Sequence, residues 1–249
     1  MNERNFNASN EEEAADRPPA YPQTGVASTC RAFREYEAIF RLEKADLLRG
    51  PVLDVAAGAS SFTSHVRGMG GIAVAVDPFY YGLTEQVIAE AEKEIDVSSA
   101  KLAANASYYD WSYYGSPEQH RELRKRSLAA FAEDYRGKGA RERYIAAALP
   151  NLPFADETFS LIVCSHFLFL YADSFDETFH AAAIDEMLRV LKSGGQLLIY
   201  PIITLKWEEI TYLAPLLERV SGVAKATLEP TGLPFVPRSS SLLRLVKRG

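Results

Sequence analysis

The sequence predicts an α/β protein built on a doubly wound, mainly parallel seven-stranded sheet, with a helical insertion before the third strand. Three observations carry this. Short apolar runs that suit strands alternate with stretches of helical periodicity along most of the chain, the pattern of crossover units in a parallel sheet. The run Phe159–Ser165 is almost continuously apolar, as a strand buried on both faces must be. The stretch PVLDVAAGASSF, Pro51 to Phe62, reads as a strand, a small-residue turn and a helix start, which aims backbone N–H groups at a ligand.

The elements follow in order. From Ser28 to Leu48 the residues Phe33, Tyr36, Ile39, Phe40, Leu42 and Leu47 recur near helical spacing, and Gly50 ends that helix. Strand 52–56, helix 61–68, strand 72–76 and helix 83–95 come next. The rhythm breaks between about Val97 and Arg143. This insertion holds the aromatic run YYDWSYY (Tyr108 to Tyr114) and a helix starting near Pro117 that carries Arg121, Arg124, Lys125 and Arg126. Tyr144–Ala148 reads as the third strand and Phe159–Ser165 as the fourth. Helix 175–191 is closed by a Ser193-Gly194-Gly195 turn, and Gln196–Ile202 is strand five. Helix 207–220 and strands near 223–228 and 241–247 complete the sheet. Residues 1–24, polar, acidic and proline-bearing, read as a disordered N-terminal tail. Residues 25–249 then form one domain, with 97–143 as a substrate cap.

A net charge of −6 and a pI near 5.4 argue against a broad nucleic-acid surface. The two cysteines, Cys30 and Cys164, suit a reducing compartment better than a disulfide framework. No apolar run approaches the roughly 18–20 residues that span a bilayer, and the N-terminus has no apolar signal region. A cytoplasmic protein without membrane contact, as monomer or homodimer, is expected.

Two acids end the first two strands, Asp54 in VLDV and Asp77 in IAVAVDP. In an open parallel sheet ligands bind beyond the carboxyl ends of the strands, where strand order reverses. Asp77 can there accept two hydrogen bonds from a ribose diol, and Asp54 can anchor the turn or an ammonium group. The plainer reading has both acids capping turns or helices. A pyridine-dinucleotide enzyme would want G-x-G-x-x-G after strand one. Only Gly58 is present, which favours a sulfonium nucleoside.

The segments VLDVAAGASSF, AVAVDP, LPNLPFADETFSLIVCSHFLFLY and EMLRVLKSGGQLLIY resemble, in order, the motif series of the class I S-adenosylmethionine-dependent methyltransferases, closest to their small-molecule, methyltransferase type 11-like branch. The resemblance spans roughly Val52 to Tyr200 and implies a Rossmann-like methyltransferase fold with S-adenosyl-L-methionine as cofactor. It implies that Ala56, Gly58 and Ser60 lie against the methionine part of the cofactor. Asp77 would bind the ribose, with Pro78 or Phe79 packing on the adenine and Ala148 and Leu149 at its edge. Ser165 and His166, at the tip of strand four, would border the methyl group and the substrate. The family's first and third loop glycines are Ala56 and Ser60 here. The added methyl of Ala56 is tolerable at negative φ, and Ser60 can donate its hydroxyl or cap the helix. Ala148 replaces the usual adenine-binding acid, a loss of about 0.5–1.5 kcal/mol.

His166 is the candidate general base, since imidazole titrates near neutrality; a packed strand-end histidine is the alternative. His65, His120 and His180 are scattered and no metal site is expected. Cys164 reads as a small apolar residue. Tyr109, Trp111 and Tyr113, within the aromatic run, either wall a substrate pocket or pack the insertion onto the sheet, and Asp110 is a secondary polar contact. The basic residues 121–126 read first as a solvated helix face, and otherwise as a contact for an acidic substrate or RNA phosphate. Two other functions compete with a small-molecule methyltransferase: an RNA methyltransferase using that basic helix, and a non-catalytic cofactor-binding or interaction protein.

Overall fold

The computed structural model describes residues 20–249. Most of the tail expected over 1–24 therefore lies outside the described residues. Its last part does not run free: the Tyr21 N–H donates to the Leu205 carbonyl at 2.8 Å.

The sheet has seven strands, ordered β3-β2-β1-β4-β5-β7-β6. These are β1 (Val52–Val55), β2 (Ala73–Val76), β3 (Tyr144–Ile145), β4 (Phe159–Ser165), β5 (Leu191–Tyr200), β6 (Ala224–Pro230) and β7 (Ser241–Lys247). The first five run parallel, and β7 pairs antiparallel with both β5 and β6. β1 and β4 are central and carry helices on both faces, so their side chains alternate between two apolar layers. Leu161 and Val163 join Phe33, Tyr36, Ile39 and Phe40 on one face; Ile162 and Cys164 meet Ile184 and Met187 on the other. Cys164 is wholly buried, as expected of a small apolar residue. Burial of a Leu- or Ile-sized side chain contributes roughly 1.5–3 kcal/mol each. The chain reverses strand order beside β1, which places a crevice at the carboxyl ends of β1, β2 and β4.

Several expected boundaries differ. The first helix does not begin at Ser28. Residues 26–31 are extended, and the helical stretch divides into α1 (Phe33–Phe40) and α2 (Lys44–Leu48) at Arg41, which has a left-handed φ of 53°. α3 (Phe62–Gly68) is close to expectation. α4 continues past residue 95 to span Thr84–Ala104. Its buried Val87, Ile88, Ala91, Ile95 and Leu102 keep one apolar stripe going, and no Gly or Pro interrupts it. α5 (Pro117–Arg136) starts where expected, with Ser116 Oγ accepting from the Gln119 N–H and proline at the first helical position. A single turn, α6 (Ala140–Arg143), then leads into β3, which is only two residues long.

α7 (Glu177–Val190) is not closed by the Ser193-Gly194-Gly195 turn. Those residues lie within β5 as an irregularity: Phe159 pairs with Leu191 but Leu161 with Gln196, and Gly194 takes up the kink at φ 74°. The helix expected over 207–220 is reduced to α8 (Leu213–Arg219). Before it, Thr204 Oγ1 accepts from the N–H groups of Lys206 and Glu208. Such side-chain bonds compete with helix formation.

Candidate active site

The crevice holds two adjoining cavities, parted by the extended segment 26–29. Its residues alternate, Val26 and Ser28 facing one cavity and Ala27 and Thr29 the other. The first cavity, about 280 Å³, is bordered by Ala56, Asp77, Pro78, Phe79, Ala148 and Leu149, and closed by Phe167, Phe175 and Phe179. Six of the residues expected around the cofactor therefore come together.

Asp77 is the polar centre of this cavity. Its Oδ2 accepts from the Gly58 N–H and its Oδ1 from the Phe79 N–H, both at 2.8 Å. Burial raises its carboxyl, and the two N–H donors oppose that. Each oxygen keeps a second acceptor position, so the carboxylate can still bind a diol. The residues present fit the nucleoside half of the cofactor.

Asp54, Gly58, Ser60 and Ser165 were expected here and are placed otherwise. Asp54 is wholly buried and accepts from Tyr36 Oη at 3.2 Å and Ser60 Oγ at 3.0 Å. It anchors the turn, and Ser60 serves Asp54 instead of capping a helix or meeting a ligand. Burial pushes the Asp54 carboxyl up to about 8, against the bonds from Ser60 and Tyr36. Gly58 faces the chain itself: a Cβ there would lie 2.9 Å from the Thr29 carbonyl oxygen. Ser165 Oγ meets His166 Nδ1 at 2.9 Å. Ala56, expected to keep a negative φ, has φ 55°. An L-residue pays roughly 1–2 kcal/mol in this region, more than glycine's extra entropy cost of about 0.5–1 kcal/mol. Ala56→Gly is thus expected to stabilise the protein by about 0.5–1 kcal/mol in urea unfolding.

The second cavity is about 110 Å³ and mixes aromatic walls with charge: Tyr21, Tyr109, Tyr171, Trp207 and Phe235 alongside Arg31, Arg124, Glu94, His120 and His166. Tyr109 and His166 both line this cavity. Trp111 is not on the wall; its Nε1 donates to the Ala106 carbonyl and its ring packs on Tyr109, Tyr114 and Phe235. Tyr113 is 41 % exposed and borders a surface groove beside Arg34 and Arg126. Asp110 bonds the Ser112 N–H on the surface. The aromatic run is thus partly wall and partly packing.

His166 has a left-handed φ of 56°. Burial, then the charges of Arg31 and Arg124, hold its pKa well below the ordinary value, so the ring is neutral. His120 behaves alike and is lowered to about 2, by burial and then Arg124.

A buried charge cluster that the sequence reading missed lies behind these histidines. Glu35, on α1, is wholly buried. Nη1 and Nη2 of Arg124 both donate to it, Tyr114 Oη donates to Oε1, and the Ala32 N–H donates to Oε2. Burial alone would raise the Glu35 carboxyl; Arg124, Arg31 and Tyr114 overcome this and hold it at about 2. Arg124 is therefore no part of a solvated face, whereas Arg121 and Lys125 are exposed and paired with Asp96 and Glu122. Among the described residues no group of His, Cys, Asp and Glu has metal-binding geometry, and no helix is long and apolar enough to cross a membrane.

The sheet order and the motif series are those of an α/β protein of the methyltransferase type. The family model described as "Methyltransferase domain" matches residues 117–199. A protein of Methanocaldococcus jannaschii, "Uncharacterized protein MJ0045", is 30% identical over 214 residues, which cover 86% of this chain and 92% of that one. Among solved structures, the PH0226 protein of Pyrococcus horikoshii is similar at 15% identity with TM-score 0.45, covering 80% of this chain and 82% of its own. The N-methyltransferase NodS of Bradyrhizobium japonicum, solved with S-adenosyl-L-homocysteine, is similar at 13% identity with TM-score 0.41, covering 80% and 79%. The chain belongs to the class I S-adenosylmethionine-dependent methyltransferases.

Proposed function

We propose that the protein transfers a methyl group from S-adenosylmethionine to a small molecule held in the second cavity. The observation that carries this is the pairing of cavities, one centred on Asp77 and the other reaching His166, across one extended segment. Asp77 would hold the ribose, Pro78 and Phe79 one side of the adenine, and Ala148 and Leu149 its edge. Ser28 and Ala56 would face the methionine half. The cofactor supplies an electrophilic methyl group.

The chain's task is then alignment of the acceptor and exclusion of water. The aromatic walls of Tyr109, Tyr171, Trp207 and Phe235 do both. His166 stays neutral because burial, and then the charges of Arg31 and Arg124, disfavour an imidazolium. It therefore serves better to accept a hydrogen bond and orient the acceptor than to carry off a proton. That suits an attacking atom with a lone pair already available. The paired, exposed charges of Arg121 and Lys125 support a small acceptor over a nucleic acid.

Calorimetric titration with S-adenosylhomocysteine tests the donor site. The wild type is expected to bind, and Asp77→Asn to bind roughly 10–100-fold more weakly, since a hydrogen bond to a charged group contributes about 1.5–3 kcal/mol. Absence of wild-type binding at millimolar ligand overturns the proposal.

A further inference from the structure

We propose that Arg31 anchors a carboxylate on the acceptor, so that the substrate is a small acid with a compact apolar or aromatic body. This rests on the second cavity being the acceptor site.

Arg31 is only 8 % exposed and borders that cavity. Its Nη2 makes one long bond, 3.4 Å to Thr29 Oγ1. The nearest carboxylate, Glu35, stands 3.7 Å from Nη1, beyond hydrogen-bond distance. Glu35 cannot serve it better. Its two oxygens have about four acceptor positions, and these are taken by two nitrogens of Arg124, the Tyr114 hydroxyl and the Ala32 N–H. A planar fork of five donors is left almost unspent in a nearly dry site. Guanidinium groups match carboxylates in two parallel bonds, whereas the Glu35 ion pair gives Arg31 charge compensation at 3.7 Å but no hydrogen bond, and a buried cation needs its donors satisfied as well. A ligand acid would complete the site.

The rest of the cavity describes the rest of the molecule. About 110 Å³ is comparable to the roughly 150 Å³ of an apolar cavity that holds one benzene ring. Leu102, Leu170, Trp207 and Phe235 supply apolar walls. Two further polar atoms bordering the same space are buried without a hydrogen-bond partner, Glu94 Oε1 and His120 Nδ1. They fit a hydroxyl or amino group on the acceptor's body.

The test uses the full chain saturated with S-adenosylhomocysteine, with 4-hydroxybenzoate and 4-hydroxybenzamide as probes in calorimetric titration. The acid is expected to bind at least about tenfold more tightly than the amide. Arg31→Met should erase that preference, and Arg31→Lys, which keeps the charge and guards against a folding defect, should retain part of it. S-adenosylhomocysteine affinity should be the same in all three proteins. Three results overturn the proposal: equal binding of acid and amide by the wild type, no binding of either at about 1 millimolar (a binding free energy of about −4.1 kcal/mol), or an unchanged preference in Arg31→Met. A tenfold loss of S-adenosylhomocysteine affinity in Arg31→Met also overturns it, assigning Arg31 to the cofactor's own carboxylate. Failure of the wild type to bind S-adenosylhomocysteine sinks the methyltransferase proposal instead, so the two failures are distinguishable.

Discussion

Glu35→Gln is expected to lower unfolding free energy at neutral pH by about 3–5 kcal/mol, because removing one member of a buried ion pair strands the other charge. Here it strands Arg124, itself 4 % exposed, and removes the nearest counter-charge from Arg31. The pH dependence separates this from a simple packing defect. The folded Glu35 carboxyl lies at about 2 against an ordinary 4.5. A depressed carboxyl stabilises the fold above its ordinary value and loses that contribution as pH falls through the folded one. The gap between wild type and Glu35→Gln in urea unfolding should therefore be full above pH 4.5 and shrink toward pH 2. Asp54 has the opposite sign. Its carboxyl is raised from 3.8 to about 8, so it costs stability progressively as pH rises through that window, equally in both proteins. Adding Arg124→Met to Glu35→Gln should recover part of the loss, since the stranded charge is then gone. A pH-independent gap, or no recovery in the double variant, would sink this account.

Fold and site were not equally legible. β4 and β7 were readable to the residue, because apolar runs and strand alternation are local signals. Asp77, Pro78, Phe79, Ala148 and Leu149 were placed by ordered motifs whose spacing the parallel sheet enforces. The Glu35–Arg124 pair joins residues 89 apart in sequence, and no local period announces such a contact. Half of the signal was nevertheless there. His120, Arg124, Ser127, Leu128 and Phe131 recur at helical spacing on the buried face of α5. Arg124 thus shares a stripe with Leu128 and Phe131, while Arg121 and Lys125 do not. Reading 121–126 as one basic block hid that difference. The extended segment 26–31 was obscured for another reason. Its backbone is held by carbonyl and N–H partners in the loop after β1, with the Ala59 N–H donating to Thr29 and the Ser61 N–H to Arg31. Backbone pairing of this kind leaves little trace in side-chain pattern.

Gly58→Ala is the second large effect, and it decides what that glycine is for. A glycine loop reserved for a cofactor would tolerate an added methyl in the unliganded protein and lose only ligand affinity. Here the methyl would sit 2.9 Å and 3.0 Å from the backbone oxygen and nitrogen of Thr29, at a φ of 55°. The left-handed conformation costs an L-residue roughly 1–2 kcal/mol and overpacking about 1–3 kcal/mol more. Gly58→Ala is therefore expected to destabilise the unliganded protein by about 2–5 kcal/mol. Backbone amides at 59 and 61 should exchange faster, because their acceptors on Thr29 and Arg31 are pushed away. Gly58→Asn divides the two terms: asparagine tolerates left-handed φ but carries the same Cβ. If Asn is nearly as damaging as Ala, contact with Thr29 dominates, and the glycine exists to seat segment 26–31 between the two cavities. If Asn restores stability, backbone strain dominates. If both variants keep wild-type stability and lose S-adenosylhomocysteine binding, the glycine serves the ligand, and the seating of Arg31 must be explained without it.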